Sequence, residues 1–153
     1  EAPGAWPLAH EAALATPPGP LNEMDWAAEP HGLTWMLERI AFEYPSIPIV
    51  ICENGVALPD APDAAGFVED TERIAYLEEH LEALAVAIER GVDVRGYMVW
   101  SLLDNFEWSR GYSKRFGLVR VDPTTLDRTI KASGHWYRSF IATQRPVARG
   151  WRE

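Results

Sequence analysis

Cysteine is almost absent from this sequence, since Cys52 is the only one among 153 residues. A single thiol excludes a disulfide within the chain and any metal site built from several cysteines. Low cysteine content is also typical of a reducing compartment, so we expect a cytoplasmic protein. Because Cys52 lies in a short apolar run, we expect its side chain to be buried as a small apolar group and not to react as a thiol.

The sequence also contains no apolar run of the ~18 residues that a membrane-spanning helix needs. Its first residues do not combine a basic segment with an apolar stretch, so we expect no signal peptide. Basic residues are outnumbered, with 14 Lys and Arg against 23 Asp and Glu and a net charge of −9. Because nucleic acids are bound by clustered Lys and Arg, we do not expect a nucleic acid as a partner. We also expect a soluble chain that has no membrane as a partner.

Proline, in contrast, is concentrated near the amino terminus, where residues 1–30 hold six of the twelve. Residues 16–20 contain three of these prolines and a glycine, a composition that fits neither a helix nor a central strand. We therefore predict an irregular segment over residues 1–23, either a surface loop of a larger domain or a frayed end.

From residue 30 onwards two hydrophobic patterns alternate. Apolar residues that recur every three or four positions predict helices, and continuous β-branched runs predict strands that are buried on both faces. Asp70 or Thr71 is expected to cap the second helix, and Gly91 to end it. The predicted order is helix 30–44, strand 47–52, helix 70–90, strand 94–103, an extended piece at 116–121 and helix 131–143.

This alternation of helices and strands predicts right-handed parallel crossover units of an α/β fold. Two parallel strands do not form a stable sheet by themselves, because both faces and both edges need cover. A complete barrel of eight strands and eight helices takes about 250 residues or more. The sequence therefore predicts a fragment, or a chain that needs a missing part.

Functional residues of parallel α/β folds lie at the carboxy ends of the strands, and two places qualify here. Glu53 directly follows the apolar residues 49–51, where a carboxylate is costly unless it is exposed in a cavity or paired; a solvated loop residue or an ion-pair partner is the alternative. Residues 100–108 interleave carboxylates with aromatic rings, which together favour a carbohydrate subsite. The alternative for this segment is an acidic loop anchored by its aromatic residues.

Both places resemble motifs of glycoside hydrolase family 1, the β-glucosidase family. Residues 48–55, Pro-Ile-Val-Ile-Cys-Glu-Asn-Gly, resemble its nucleophile motif, and residues 100–108, Trp-Ser-Leu-Leu-Asp-Asn-Phe-Glu-Trp, match its other sugar-binding motif at every position. The similarity extends over about residues 24–143. It implies the carboxy-terminal part of a (β/α)8 TIM barrel over residues 24–145, a tail over 146–153, and a missing amino-terminal barrel portion.

The resemblance also implies a role for each of five residues. Glu53, at the end of the seventh barrel strand, would attack the anomeric carbon and form a covalent glycosyl-enzyme. Trp100, at the end of the eighth strand, would lie under the sugar ring. Glu107 would bind the O4 and O6 hydroxyls, Trp108 would donate a hydrogen bond to O3, and Phe116 would line the wall near C6.

The implied activity is retaining hydrolysis of β-D-glucosides or galactosides from the non-reducing end, with a small β-linked oligosaccharide or glycoside as substrate and no metal or other cofactor. Retaining enzymes use two carboxyl groups about 5 Å apart. The family carries the second one in a Thr-x-Asn-Glu-Pro motif, which is absent here. Glu23 follows Asn22 but precedes Met24, and no strand positions it, so we do not expect it to be the acid/base.

Two alternatives stay open: a non-catalytic fragment that lacks the acid/base, and a 6-phospho-β-glycosidase. Glu107 argues against the second alternative, because its negative charge would repel a phosphate. Three further polar residues are expected to have structural roles. Arg73 would form ion pairs on the second helix, while Asp104 and Asn105 would fix the loop of the sugar subsite.

Overall fold

The structure is a computed structural model that describes residues 19–144. Most of the predicted irregular segment and the predicted tail over 146–153 lie outside these residues. Residues 19–23 contain no helix, and an isolated antiparallel bridge joins Leu21 to Ala27. Residues 19–144 contain both candidate motifs.

Three α-helices and four β-strands are formed within the described region. They follow one another as α1 Pro30–Glu43, β1 Ile49–Asn54, α2 Thr71–Glu89, β2 Val94–Val99, β3 Val119–Val121, β4 Arg128–Ile130 and α3 Ala132–Thr143, with a 3-10 turn at Trp108–Arg110 between β2 and β3. All three predicted helices and both predicted long strands are present, but β2 ends at Val99 and not at residue 103 as predicted. The strand β4 was not predicted, because three residues are too few to show a hydrophobic period.

The strands form two separate two-stranded sheets. β1 and β2 pair in parallel, with Ile49 opposite Val94 and Asn54 opposite Val99, and α2 connects them as the predicted crossover. β3 and β4 form an antiparallel hairpin. This β-α-β arrangement is the repeating unit of a β/α barrel, and it brings the carboxy ends of β1 and β2 to the same edge.

The core lies between the parallel sheet and the first two helices. Leu37 of α1, Leu84 and Ala87 of α2, and Val92 form its buried centre. Partly buried residues from both strands pack against this centre: Ile49, Ile51, Val94 and Tyr97. One face of the parallel sheet is therefore covered by helices.

The other face of the parallel sheet is open. Val50 and Cys52 alternate with the core residues of β1 and are exposed, and Met98 of β2 is 54% exposed. The prediction of strands buried on both faces is therefore wrong for this structure, and so is the prediction that Cys52 is buried. The physical reason is that only one layer of helices packs on this sheet within residues 19–144.

The boundaries of α2 confirm one prediction and correct another. Gly91 follows the helix with a positive φ of 97°, a conformation that glycine adopts without strain. Asp70 occupies the N-cap position but makes no side-chain hydrogen bond to the helix backbone. Its carboxylate accepts hydrogen bonds from the backbone N–H and the hydroxyl of Ser133, at 2.8 and 2.6 Å, and pairs with Arg73. Long-range partners thus replace the expected cap.

Candidate active site

The carboxy ends of β1 and β2 are in direct contact. The backbone N–H of Trp100 donates a hydrogen bond of 2.9 Å to the carbonyl of Asn54. Gly55 approaches so closely that a Cβ atom at this position would lie 1.7 Å from the carbonyl oxygen of Trp100. Glu53 and Trp100 are therefore held at neighbouring points of one sheet edge.

Asn54, the neighbour of Glu53, is anchored by two tyrosines. The hydroxyl of Tyr97 donates to Asn54 Oδ1 at 2.6 Å, and Asn54 Nδ2 donates to the hydroxyl of Tyr76 at 3.3 Å. Burial raises the pKa of both Tyr76 and Tyr97, so both phenols stay protonated at neutral pH. His80 stacks on Tyr76 with 3.9 Å between the ring centroids, and burial lowers the pKa of this histidine. The end of β1 is thus fixed to α2.

Glu53 itself is exposed at the end of β1. Within residues 19–144 its carboxylate forms no hydrogen bond and no ion pair. The alternative that Glu53 is an ion-pair partner therefore has no support in the described region. Both carboxylate oxygens are free to meet a ligand that approaches from the open side of the sheet edge.

The loop after β2 carries the other predicted site residues. Trp100 and Glu107 are half-buried, and the side chain of Glu107 has no partner in the described part of the chain. Trp108 opens the 3-10 turn and is 82% exposed. Phe116 is only 4% exposed and lies beside Trp26, with 6.4 Å between the ring centroids. The structure therefore places three predicted site residues, Glu107, Trp108 and Phe116, on the segment that follows Trp100.

This loop is closed at its base, as the sequence predicts. Asp104 Oδ1 accepts a hydrogen bond of 2.9 Å from the backbone N–H of Gly117. Asn105 Nδ2 donates to the hydroxyl of Ser101 at 2.9 Å and to the carbonyl of Leu103 at 3.0 Å. Both side chains hold backbone segments together, which confirms their predicted role in fixing the loop.

A buried cluster of charged side chains joins the loops that follow β1 and β2. Its buried members are three carboxylates and two cations, and the partly exposed Arg115 lies at its edge: Asp60, Asp70, Asp104, Arg73 and Lys131. The ion pairing predicted for Arg73 is confirmed, since both of its terminal nitrogens lie 3.1 Å from the Asp60 carboxylate. The roles of Asp60 and Lys131 could not be predicted from local patterns, because their partners are distant along the chain.

Glu23, the residue that resembles an acid/base only by its neighbour Asn22, is engaged elsewhere. Its carboxylate pairs with Lys114 at 2.9 Å. Asn22 Oδ1 accepts hydrogen bonds from the backbone N–H groups of Met24 and Trp26, at 2.8 and 3.2 Å. The Asn22–Glu23 pair therefore stabilises a turn and a loop contact.

The described region contains neither a metal-binding arrangement of side chains nor a membrane-spanning helix. No group of three or more His, Cys, Asp or Glu side chains within residues 19–144 has the arrangement of a metal site. None of the helices formed in the same region has both the length and the apolar composition to cross a bilayer.

Comparison with known proteins agrees with these motifs. The sequence pattern of "Glycosyl hydrolase family 1" matches residues 8–146. The bifunctional β-D-glucosidase/β-D-fucosidase of Bifidobacterium breve is 52% identical over 128 residues, which are 81% of this chain and 28% of that protein. The 6-phospho-β-galactosidase of Lacticaseibacillus casei is 41% identical over 129 residues, with 80% and 27% covered.

The fold has the same relatives. The solved structure of the family 1 β-glucosidase from Thermotoga maritima in complex with isofagomine lactam is similar with a TM-score of 0.82 and 43% identity, over 85% of this chain and 30% of that one. The chain thus spans less than a third of the length of these relatives. Because the family pattern matches nearly the whole chain and the identity exceeds 50% for one relative, the resemblance is confirmed: the chain belongs to glycosyl hydrolase family 1.

Proposed function

We propose that this chain is the carboxy-terminal part of a (β/α)8 barrel that hydrolyses β-glucosides or β-galactosides with retention, and that Glu53 is its nucleophile. The observation that carries the proposal is the exposed, unpaired carboxylate of Glu53 beside Trp100 at one sheet edge. Relatives named as β-glucosidases support the substrate class.

In this proposal β1 and β2 are the seventh and eighth barrel strands. Helices cover their outer face, and the exposed side chains of Val50 and Cys52 face the barrel interior. Barrel closure would pair both open strand edges and bury this inner face, which explains why one quarter of a barrel leaves apolar side chains in solvent. The missing strands would come from the amino-terminal barrel portion.

The proposed chemistry needs two carboxyl groups. Glu53 attacks the anomeric carbon, the bond from that carbon to the leaving oxygen breaks, and a second carboxyl group protonates the leaving oxygen. Water, deprotonated by the same second group, then releases the sugar with its original configuration. A chain without that group lacks a general acid, which typically contributes about 10²–10⁴-fold to the rate. The alternative of a non-catalytic fragment therefore applies to this chain when the rest of the barrel is not present.

The sugar would lie above the loop that follows β2. Trp100 offers an aromatic face at the strand end, and Trp108, now in solvent, would donate its indole N–H to O3. Glu107 would accept hydrogen bonds from the O4 and O6 hydroxyls, because its carboxylate has no other partner in the described region. Phe116 would border C6 from the wall that it forms with Trp26.

Covalent trapping tests the nucleophile directly. The full-length protein is incubated with a 2-deoxy-2-fluoroglucoside that carries a dinitrophenolate leaving group, which departs without an acid. We expect one fluoroglucosyl group per chain, attached to the peptide that contains Glu53 and located there by mass spectrometry. The Glu53→Gln variant is the matched control and should stay unlabelled. Stoichiometric label on another residue would remove Glu53 from its proposed role.

A 6-phospho-β-glycosidase is the second candidate, because a relative with that kind of name is 41% identical. Glu107 argues against it, since a carboxylate placed at O6 would repel a phosphate by Coulomb interaction. We expect kcat/KM for a nitrophenyl β-glucoside to exceed that for its 6-phosphate by about a hundredfold or more. Glu107→Gln should lower the ratio of the two kcat/KM values, because the amide removes the negative charge but keeps the shape of the side chain. A wild-type preference for the phosphate would reverse the assignment.

A further inference from the structure

Lys131 immediately precedes the first residue of α3, and its ammonium group is completely buried. Its side chain is 0% exposed, and Nζ lies 2.8 Å from Asp104 Oδ1. The same ammonium pairs with the carboxylate of Asp60. These two partners are 27 and 71 residues away along the chain, so the contacts join distant segments.

The two partners of Lys131 belong to the two loops that would form the active site. Asp60 lies in the loop that follows β1, seven residues after Glu53. Asp104 lies in the loop that follows β2, three residues before Glu107. The ammonium therefore bridges the loop next to the nucleophile and the loop that carries the sugar-binding carboxylate.

Both carboxylates that bind Lys131 also bind other groups. Asp104 accepts a hydrogen bond from Gly117 N–H at 2.9 Å and donates its own backbone N–H to Val119 at 3.0 Å, so it closes the loop at its base. The Asp60 carboxylate accepts hydrogen bonds from two nitrogens of Arg73. Arg73 also donates a hydrogen bond of 2.8 Å to the carbonyl of Arg115. The two loops are therefore joined twice, by Lys131 between Asp60 and Asp104 and by Arg73 between Asp60 and the Arg115 carbonyl.

Stability alone does not account for this arrangement. Removing charges from water costs free energy, and a buried ion pair is often no more stable than apolar side chains of similar volume. What a buried, multiply hydrogen-bonded charge does provide is one defined geometry, because any displacement leaves a charge unpaired in the interior. Two cations and three carboxylates of the cluster meet this condition here.

We propose that Lys131 is a positioning residue that fixes the Glu107 loop relative to Glu53 through its bridge between Asp104 and Asp60. The inference rests on the proposed function, since it assigns the bridge to the same site. Lys131 touches no substrate. It acts by holding Glu107 where its carboxylate meets the O4 and O6 hydroxyls in the transition state.

The test compares two substrates in the full-length protein, a nitrophenyl β-glucoside and its 6-deoxy analogue. The wild type should prefer the glucoside by about tenfold or more in kcat/KM, because the analogue keeps O4 but lacks the O6 hydroxyl that would donate a hydrogen bond to Glu107. In Lys131→Met this preference should fall below about threefold, since the loop is no longer held in register. Glu107→Gln should then cause a much smaller loss in the Lys131→Met background than in the wild type.

A second variant covers the case in which Lys131→Met does not fold. Lys131→Met combined with Asp104→Asn removes one charge of each sign, and the Asn oxygen still accepts from Gly117. This double variant should give a cooperative unfolding transition and still show the reduced preference. Lys114→Met is the matched control, because Lys114 pairs with Glu23 outside the cluster, and it should retain the wild-type preference.

The outcomes separate the inference from the function on which it rests. Equal losses of kcat/KM for both substrates, with the wild-type preference unchanged in the double variant, would mean that Lys131 is merely structural and would overturn the inference alone. A wild-type protein that hydrolyses neither glycoside and is not labelled at Glu53 would overturn the proposed function itself.

Discussion

Glu53→Gln should lower kcat for β-glucoside hydrolysis by about 10³-fold or more in the full-length protein. The amide has the shape of the carboxylate but lacks a nucleophilic oxygen, so the covalent intermediate cannot form. Stability should change little, because Glu53 is exposed and forms no hydrogen bond or ion pair within residues 19–144. Initial rates at saturating substrate measure the loss, and circular dichroism reports on the fold.

Two controls sharpen this prediction. Glu78→Gln makes the same chemical change on the exposed surface of α2 and should leave kcat within about twofold of the wild type. In Glu53→Ala, azide can occupy the vacated space, attack the anomeric carbon from the same side as Glu53 and displace the aglycone, giving the α-glucosyl azide with inversion. Activity of Glu53→Gln within tenfold of the wild type would contradict the proposed mechanism.

Gly55→Ala should cause a large loss of stability, about 3 kcal/mol or more in the free energy of unfolding. The added Cβ would meet the carbonyl oxygen of Trp100 at 1.7 Å and its carbonyl carbon at 2.8 Å. Both are backbone atoms, so no side chain can rotate away, and the ends of β1 and β2 must separate. Denaturant unfolding of the full-length protein measures the change.

A second glycine provides the comparison. Gly32 lies in α1, where an added Cβ would meet Cβ of Glu29 at an ordinary 3.6 Å. Gly32→Ala should therefore raise stability by roughly 0.5–1 kcal/mol, because alanine loses less conformational entropy in a helix. A Gly55→Ala variant as stable as the wild type would show that the two strand ends are not held as closely as described.

Local patterns in the sequence predicted most of the secondary structure. Pro30 begins α1 and Gly91 follows the end of α2, because a fixed φ suits a first helical turn and a positive φ suits a helix end. The motif around Glu53 was placed correctly at the end of β1 for a similar reason. A continuous β-branched run ends where its composition changes, and in parallel folds that is where functional side chains occur.

The errors have a common origin in contacts that are distant along the chain. The apolar run predicts that Cys52 is buried, as it would be in a closed fold. Cys52 is exposed because no second layer covers this face within the described region. Asp70 was predicted as a helix cap, but its carboxylate binds Ser133, which lies 63 residues further along. Local propensity contains no information about a partner whose position depends on the whole fold.

The order of the three helices and the two parallel strands, the family, and the position of Glu53 after a strand can all be inferred from the sequence, because they depend on short-range periodicity and on motifs of contiguous residues. The contact of Gly55 with Trp100 and the bridge from Lys131 to Asp60 and Asp104 are visible only in the folded chain. Such contacts form when folding brings distant residues within a few ångströms. The buried charges of Lys131, Asp60 and Asp104 are tolerable only in a geometry that pairs each of them with an opposite charge.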